Sequence, residues 1–170
     1  MMWLRHLLSV AILPFTVTVL IPWWIAGRYG VEPSLGSGAG AWAFQVIGLG
    51  LLALGLLFFT ASLRRFATEG HGTLAPWDPP VELVVRGPYR YVRNPMISGV
   101  VLVLFGESLA LLSTPHAVWA ASFLALHLLY IPLVEEPQLK RRFGAAYLEY
   151  CQHVPRVVPR LRPWVPGGTP

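Results

Sequence analysis

Hydrophobic positions along this chain fall into four long unbroken blocks rather than short alternating runs. Residues 7–26 (LLSVAILPFTVTVLIPWWIA), 41–63 (AWAFQVIGLGLLALGLLFFTASL), 95–112 (PMISGVVLVLFGESLALL) and 115–134 (PHAVWAASFLALHLLYIPLV) hold one formally charged residue between them, Glu107. At a rise of ~1.5 Å per residue each block is ~27–35 Å long, enough to cross a hydrocarbon core of ~30 Å. The pattern predicts an all-α integral membrane protein of about four transmembrane helices, forming a single domain over residues 1–170. The first block also has the basic flank of a signal peptide in Arg5 and His6, but its apolar run is long and no clean small-x-small cleavage site follows.

Polar segments between the blocks carry the remaining order. Asn94-Pro95, Thr114-Pro115 and Glu136-Pro137 each set a capping-type or acidic residue before a proline suited to the first helical position, so each predicts a helix start. In the middle loop, Gly70 to Thr73 and Pro76 to Pro80 break any helix. Val81 to Val85 reads as extended and Arg86-Gly87-Pro88-Tyr89 as a turn. Irregular backbone is tolerated at membrane depth only where protein or water satisfies it, so this loop is expected to cover the bundle as a lid. After Pro137, Leu139, Phe143, Tyr147 and Tyr150 share one helical face, predicting a C-terminal amphipathic helix that ends at Val154-Pro155. Such a helix either lies on the headgroups or closes a cavity.

Composition sharpens the membrane reading and removes other classes. Charged residues make up 12% of the chain, against ~25% for an ordinary soluble domain. A single cysteine, Cys151, excludes an intrachain disulfide, and no Cys/His spacing of a zinc site occurs, so no metal is expected. Of 13 basic residues, 12 fall on one side of a four-span arrangement and only Arg28 on the other. The positive-inside bias then places both termini and the middle loop in the cytoplasm, and the net charge of +5 needs no nucleic acid to explain it. The preference for Arg over Lys suggests a GC-rich bacterial genome and hence an inner membrane. The sequence sets no oligomeric state.

Several motifs stand in order at the cytoplasmic ends of these predicted helices. They are Gly87-Pro88-Tyr89, then Arg93-Asn94-Pro95-Met96 with Gly99, Glu135-Glu136, Phe143-Gly144 with Tyr147 to Tyr150, and Val154-Pro155-Arg156. Together they resemble the isoprenylcysteine carboxyl methyltransferase and phospholipid methyltransferase superfamily over about residues 70–160. That resemblance implies a small membrane enzyme that takes a methyl group from S-adenosylmethionine, leaving S-adenosylhomocysteine, and passes it to a lipophilic acceptor reached from the bilayer. It further implies a cofactor site at Val81, Leu83, Val84, Tyr89, Asn94, Pro95, Met96, Ile97, Glu135 and Glu136, with Gly48-Leu49-Gly50 or Gly55 as a further contact. Asn94 resembles the phospholipid branch, where prenylcysteine enzymes carry His. Tyr130, Ile131 and Pro132 stand where those enzymes place a carboxylate-holding arginine, so Arg93, Arg141 or Arg142 would have to serve a carboxylate acceptor.

The chemistry of the cofactor suits these residues. Glu135 or Glu136 would face its ammonium or ribose, while Arg93 and the helix start at Pro95 would face its carboxylate. Tyr89 and Val81 to Val84 would hold the adenine or flank the sulfonium. Methyl transfer is mainly a matter of alignment and desolvation, so Arg93 and Glu136 are the expected catalytic residues, with Glu136 or His71 as base for a protonated acceptor. Each residue also has a plainer reading: Asn94 as an N-cap, the glutamates as acids at a helix start or in an ion-pair network, the arginines as lipid anchors and the glycines as packing points. Glu107 and His127 are expected to pair or to line an acceptor pocket. An NADPH-dependent membrane reductase or a non-enzymatic scaffold are the competing functions.

Overall fold

A computed structural model describes residues 11–33, 35, 36, 38–69 and 81–165, and among these the regular elements are all helical. A wide π-helical segment, Ala11–Leu20, runs into α1, Ile21–Tyr29, which ends on Gly30 in the left-handed region. Helix α2 is Ala39–Glu69, α3 is Pro95–Ala110 and α4 is Thr114–Tyr130. A π-helical turn, Ile131–Glu135, joins α4 to α5, Glu136–His153. The predicted lid residues 70–80, including His71, and the first predicted span before residue 11 lie outside the described residues.

Two helical stretches are long and apolar enough to cross a membrane, Ala39–Glu69 and Thr114–His153, while Pro95–Ala110 is apolar but shorter. In each long stretch only 17% of the apolar window is buried. A core helix of a water-soluble protein would hide most of such a surface, so these side chains are matched to a hydrocarbon solvent. Charge enters the second stretch at Glu135, so its apolar part closes at Val134.

Helices α2 and α3 form the most extensive contact in the molecule, and glycine makes it so close. A Cβ on Gly55 would lie 2.7 Å from Gly99 O, and one on Gly106 would lie 2.6 Å from Leu52 N. Gly48 abuts Gly106 and Ala110 in the same way. Small residues at matching intervals let two backbones touch where a hydrophobic driving force between helices is missing. On the other side of α3, Val100 and Leu104 pack with Ala120 and Phe123 of α4, joined by Val17, Phe59 and Trp119. His116 pins the far end of the bundle, its ring within hydrogen-bond distance of Ser113 Oγ (2.7 Å) and Pro22 O (3.1 Å).

Some local expectations are corrected by this arrangement. Glu136-Pro137 opens the α-helical segment α5, with Pro137 in its first turn, but the wide turn at Ile131–Glu135 joins it to α4, so the chain stays helical from Thr114 to His153. Ser113, rather than Thr114, caps α4 by accepting from His116 N. Asn94 precedes α3 but makes no side-chain cap. Among the described residues, Val81 to Val85 stays outside regular secondary structure and joins no sheet. Gly87–Arg90 does turn, as one round of 3-10 helix.

Gly144, with φ 53° and ψ −127°, breaks α5 into two arms in a conformation that side-chain-bearing residues avoid. Beyond the break, Tyr147, Tyr150 and Val154 are buried against Leu83, Val85, Leu139, Phe143 and Trp164, so this apolar face covers the loop before α3. The chain then reverses and runs beside that loop. Arg93 N donates to Pro155 O (2.9 Å), Arg160 N to Tyr91 O (3.0 Å) and Trp164 N to Arg90 O (3.0 Å). Residues 154–165 thereby form a strap across the start of α3.

Candidate functional site

The strap, the start of α3 and the junction of α4 with α5 converge on two adjacent carboxylates. Glu136 is buried, and Arg156 grips it with both prongs of its guanidinium: Nε donates to Oε1 at 2.6 Å and Nη2 to Oε2 at 2.9 Å. Arg93 Nη1 approaches Oε1 to 3.1 Å and also reaches Cys151 Sγ at 2.7 Å. Burial by itself would raise the Glu136 carboxyl, but the Arg156 hydrogen bonds and the charges of Arg93, Arg156 and Lys140 outweigh it and hold the group below its ordinary value. Glu136 is therefore a committed anion.

Glu135 stands in the opposite condition. Burial, reinforced by the neighbouring Glu136 charge, pushes its carboxyl up to about 7. With its amide turned so that nitrogen faces the acceptors, Asn94 donates to Glu135 Oε1 and to Arg93 O, both at 3.3 Å. That neutral donor does not compensate a full charge. Two more polar atoms nearby are buried without partners, the Tyr89 hydroxyl and Arg93 Nε. Tyr89 is held in place by its backbone, since Tyr150 Oη donates to Tyr89 O at 2.6 Å. Burial, with smaller effects of Tyr150 and Glu135, drives its phenol above the ordinary value, so it stays a neutral donor.

Two cavities border this cluster. A polar one of about 410 Å³ is lined by Arg93, Glu136, Lys140, Cys151, Gln152 and Arg156, with Leu148. An apolar one of about 320 Å³ lies between α2, α3, α4 and the strap, and Asn94, Ile97, His127 and Arg156 are on its wall.

Of the residues expected from sequence, Arg93, Asn94, Glu135 and Glu136 are brought together, with Tyr89 behind them. Pro95 is buried at the first position of α3, Met96 is half-buried, and Ile97 faces the apolar cavity. Val81 is exposed, and Leu83 packs into the tyrosine cluster instead of either cavity. Val84 is buried and lines neither cavity. Arg141 and Arg142 are exposed, leaving Arg93 alone of the three expected clamps inside the cluster. Gly48 and Gly55 are helix contacts, and Gly50 faces open space. Gly48 meets residues 106–110, ~18 Å or more from Asn94 by helical rise, so a cofactor role for the Gly-x-Gly is set aside. His127 faces the apolar cavity, while Glu107 does not line it.

Sequence reasoning missed the parts played by Arg156 and Cys151. Both lie beyond the Gly144 break, and no helical period connects position 156 to position 136. The available signal was the Val154-Pro155-Arg156 motif, which gave the arginine no role of its own.

Comparison with known proteins gives this cluster its context. The family model for phospholipid methyltransferases matches residues 44–146, more than half of the chain. The chain belongs to the phospholipid methyltransferase family. It is also 31% identical over 123 residues to protein-S-isoprenylcysteine O-methyltransferase B of Arabidopsis thaliana, covering 69% of this chain and 60% of that protein. This chain thus spans less than two thirds of that relative's length. No solved structure matches it.

Proposed function

We propose that this protein is an S-adenosylmethionine-dependent methyltransferase of the cytoplasmic membrane face, acting on a lipophilic acceptor. The observation that carries this reading is the set of groups around the buried Glu136 carboxylate that await a partner: the Tyr89 hydroxyl and Arg93 Nε, which have none, and Glu135, whose single amide donor leaves its carboxyl raised to about 7. Family membership supports the same reaction class.

The unmet groups fit the cofactor's chemistry. Its ammonium and sulfonium are cations, and a carboxylate raised to about 7 gains by ionising against a cation. Its carboxylate would take Arg93 and the N–H groups opening α3, and its ribose hydroxyls would take Tyr89 and Asn94. When bound, S-adenosylmethionine supplies a methyl carbon already activated by the sulfonium. The protein then has to exclude water and hold the acceptor in line. Glu136, fixed by Arg156 and Arg93, positions the arginines rather than receiving a proton. A proton from an amine acceptor would fall to Glu135 instead. In this reading four spans cross the bilayer, with the cluster and both termini on the inner side.

Isothermal titration of purified protein with S-adenosylhomocysteine and with NADPH tests the assignment. The homocysteine derivative is expected to bind and NADPH not to. Glu135→Ala and Glu136→Ala should each weaken binding by about tenfold or more, the loss of one charge-assisted contact, whereas Glu107→Ala should stay within about twofold. Binding of NADPH alone, or equal affinities for all variants and the parent, would overturn the assignment.

A further inference from the structure

Arg156 borders both cavities at once. It is the one formally charged side chain on the wall of the apolar cavity, whose other surfaces include Leu54, Phe58, Ile97 and Leu128. The few other polar groups there are engaged locally. Ser98 Oγ donates to Asn94 O at 3.1 Å, and His127 Nδ1 lies 2.9 Å from Phe123 O. Glu136 takes Nε and Nη2 of Arg156, which leaves Nη1 outside the pair. Around that pair Arg93, Arg156 and Lys140 supply three cations against the committed anion Glu136. The result is a hydrocarbon-lined chamber of about 320 Å³, a size near the lower end of ligand pockets, with an excess of positive charge at its polar end.

We propose that Arg156 sets acceptor specificity: the apolar cavity takes the hydrocarbon part of an amphiphile, and Arg156 holds an anionic head, a carboxylate or phosphate monoester, where the two cavities meet. This rests on the methyltransferase reading only in calling the ligand an acceptor. A planar guanidinium matches either head, since both present paired oxygens to parallel N–H groups. An ammonium head would meet repulsion from Arg93, Arg156 and Lys140, and an uncharged ester would offer Nη1 a weaker, uncharged acceptor, so the same residue favours one class over two.

The test is displacement of cis-parinaric acid from the protein in phosphatidylcholine nanodiscs, with empty discs as blank. Competitors are dodecanoate, dodecyl phosphate, dodecylamine and methyl dodecanoate. Both anions should displace the probe about tenfold better than the amine or ester, as expected for one charge-assisted contact, and the better anion identifies the head. Arg156→Gln should bring all four within about twofold, and Arg156→Lys should keep part of the preference. Should Arg156→Gln not fold, Leu128→Trp fills the cavity without touching the charge, and it should block the probe while leaving S-adenosylhomocysteine affinity within about twofold. Equal displacement by amine and anions, a preference that survives Arg156→Gln, or undiminished probe binding by Leu128→Trp would each overturn the proposal. Anion preference without S-adenosylhomocysteine binding would remove the methyltransferase reading and leave the anionic-amphiphile site standing.

Discussion

Glu135 and Glu136 share a peptide bond and a chemistry, yet their surroundings drive them apart. Glu136 has two guanidiniums and a lowered value; Glu135 has an amide donor, a like-charged neighbour and a value near 7. The signs for stability follow. The Glu136 pairs contribute fully above its unfolded value of ~4.5 and are lost as pH falls through the depressed folded value. Glu135 works the other way: between its ordinary value and about 7 the folded state binds the extra proton, so raising pH across that window withdraws stability. A cation bound beside Glu135 lowers its value again, so cofactor binding must release a proton. At pH 7 the expected release is roughly half a proton per site, seen as a difference in titration enthalpy between Tris and phosphate buffers. The release should vanish in Glu135→Gln and affinity should rise from pH 5.5 to 7.5. A parent protein that binds S-adenosylhomocysteine with no proton exchange would remove Glu135 from the site. The sequence named both glutamates but not their division of labour, because that depends on Arg156, which arrives from beyond a helix break and a chain reversal.

At the level of elements, the apolar blocks were legible because length and charge exclusion are properties of contiguous sequence. Junctions were less so. Glu136-Pro137 looks like Asn94-Pro95 on paper, and both open α-helical segments, but α3 starts from a loop whereas α5 continues from α4 through the wide turn at Ile131–Glu135. Glycines were ambiguous in the same way: Gly48 and Gly50 are two residues apart, so they face different directions on α2. A methyl group on Gly99 would lie 2.8 Å from Phe59 N, and one on Gly50 would meet nothing within 4 Å. Gly99→Ala should therefore cost about 1–3 kcal/mol through forced separation of α2 and α3. Gly50→Ala should be neutral or gain up to ~1 kcal/mol from helix propensity. Thermal unfolding in detergent reads the difference as a lowered midpoint for the first variant only. Because Asn94 immediately precedes α3, Gly99→Ala should weaken S-adenosylhomocysteine binding as well. Equal midpoints for the two variants would mean that the close contact of α2 with α3 is not what holds the bundle.

For the whole molecule, the physical question is which side of a membrane the cluster faces, and the distribution of basic residues favours the inner side for the proposed spans. The basic residues divide 12 to 1 across the proposed spans. Separately, Asn94, Glu135 and the strap assemble at one end of the bundle, while the Ser113–His116–Pro22 contacts close the other. The two divisions coincide: the end that gathers the arginines is the end that builds the buried cluster. Exposed Leu57 and Leu129 between these ends, and exposed Trp23 and Trp24 beside the Pro22 contact at the far end, are suited to lipid contact. Sequence could sort residues by side but not say which touch, since the contacts of Arg93 with Glu136 and Cys151 join segments more than 40 positions apart. The arrangement predicts that, in a Cys151→Ser background, a cysteine replacing Glu32 reacts with a membrane-impermeant maleimide applied to intact spheroplasts. A cysteine replacing Glu149, exposed on α5, should react only after permeabilisation. The reverse pattern would place the cluster outside, away from the cell's S-adenosylmethionine, and the positive-inside argument would fail together with the proposed reaction. Reaction of both positions in intact spheroplasts would instead mean an even number of spans between them, so that one of the three apolar helices separating Glu32 from Glu149 turns back or lies along the surface instead of crossing.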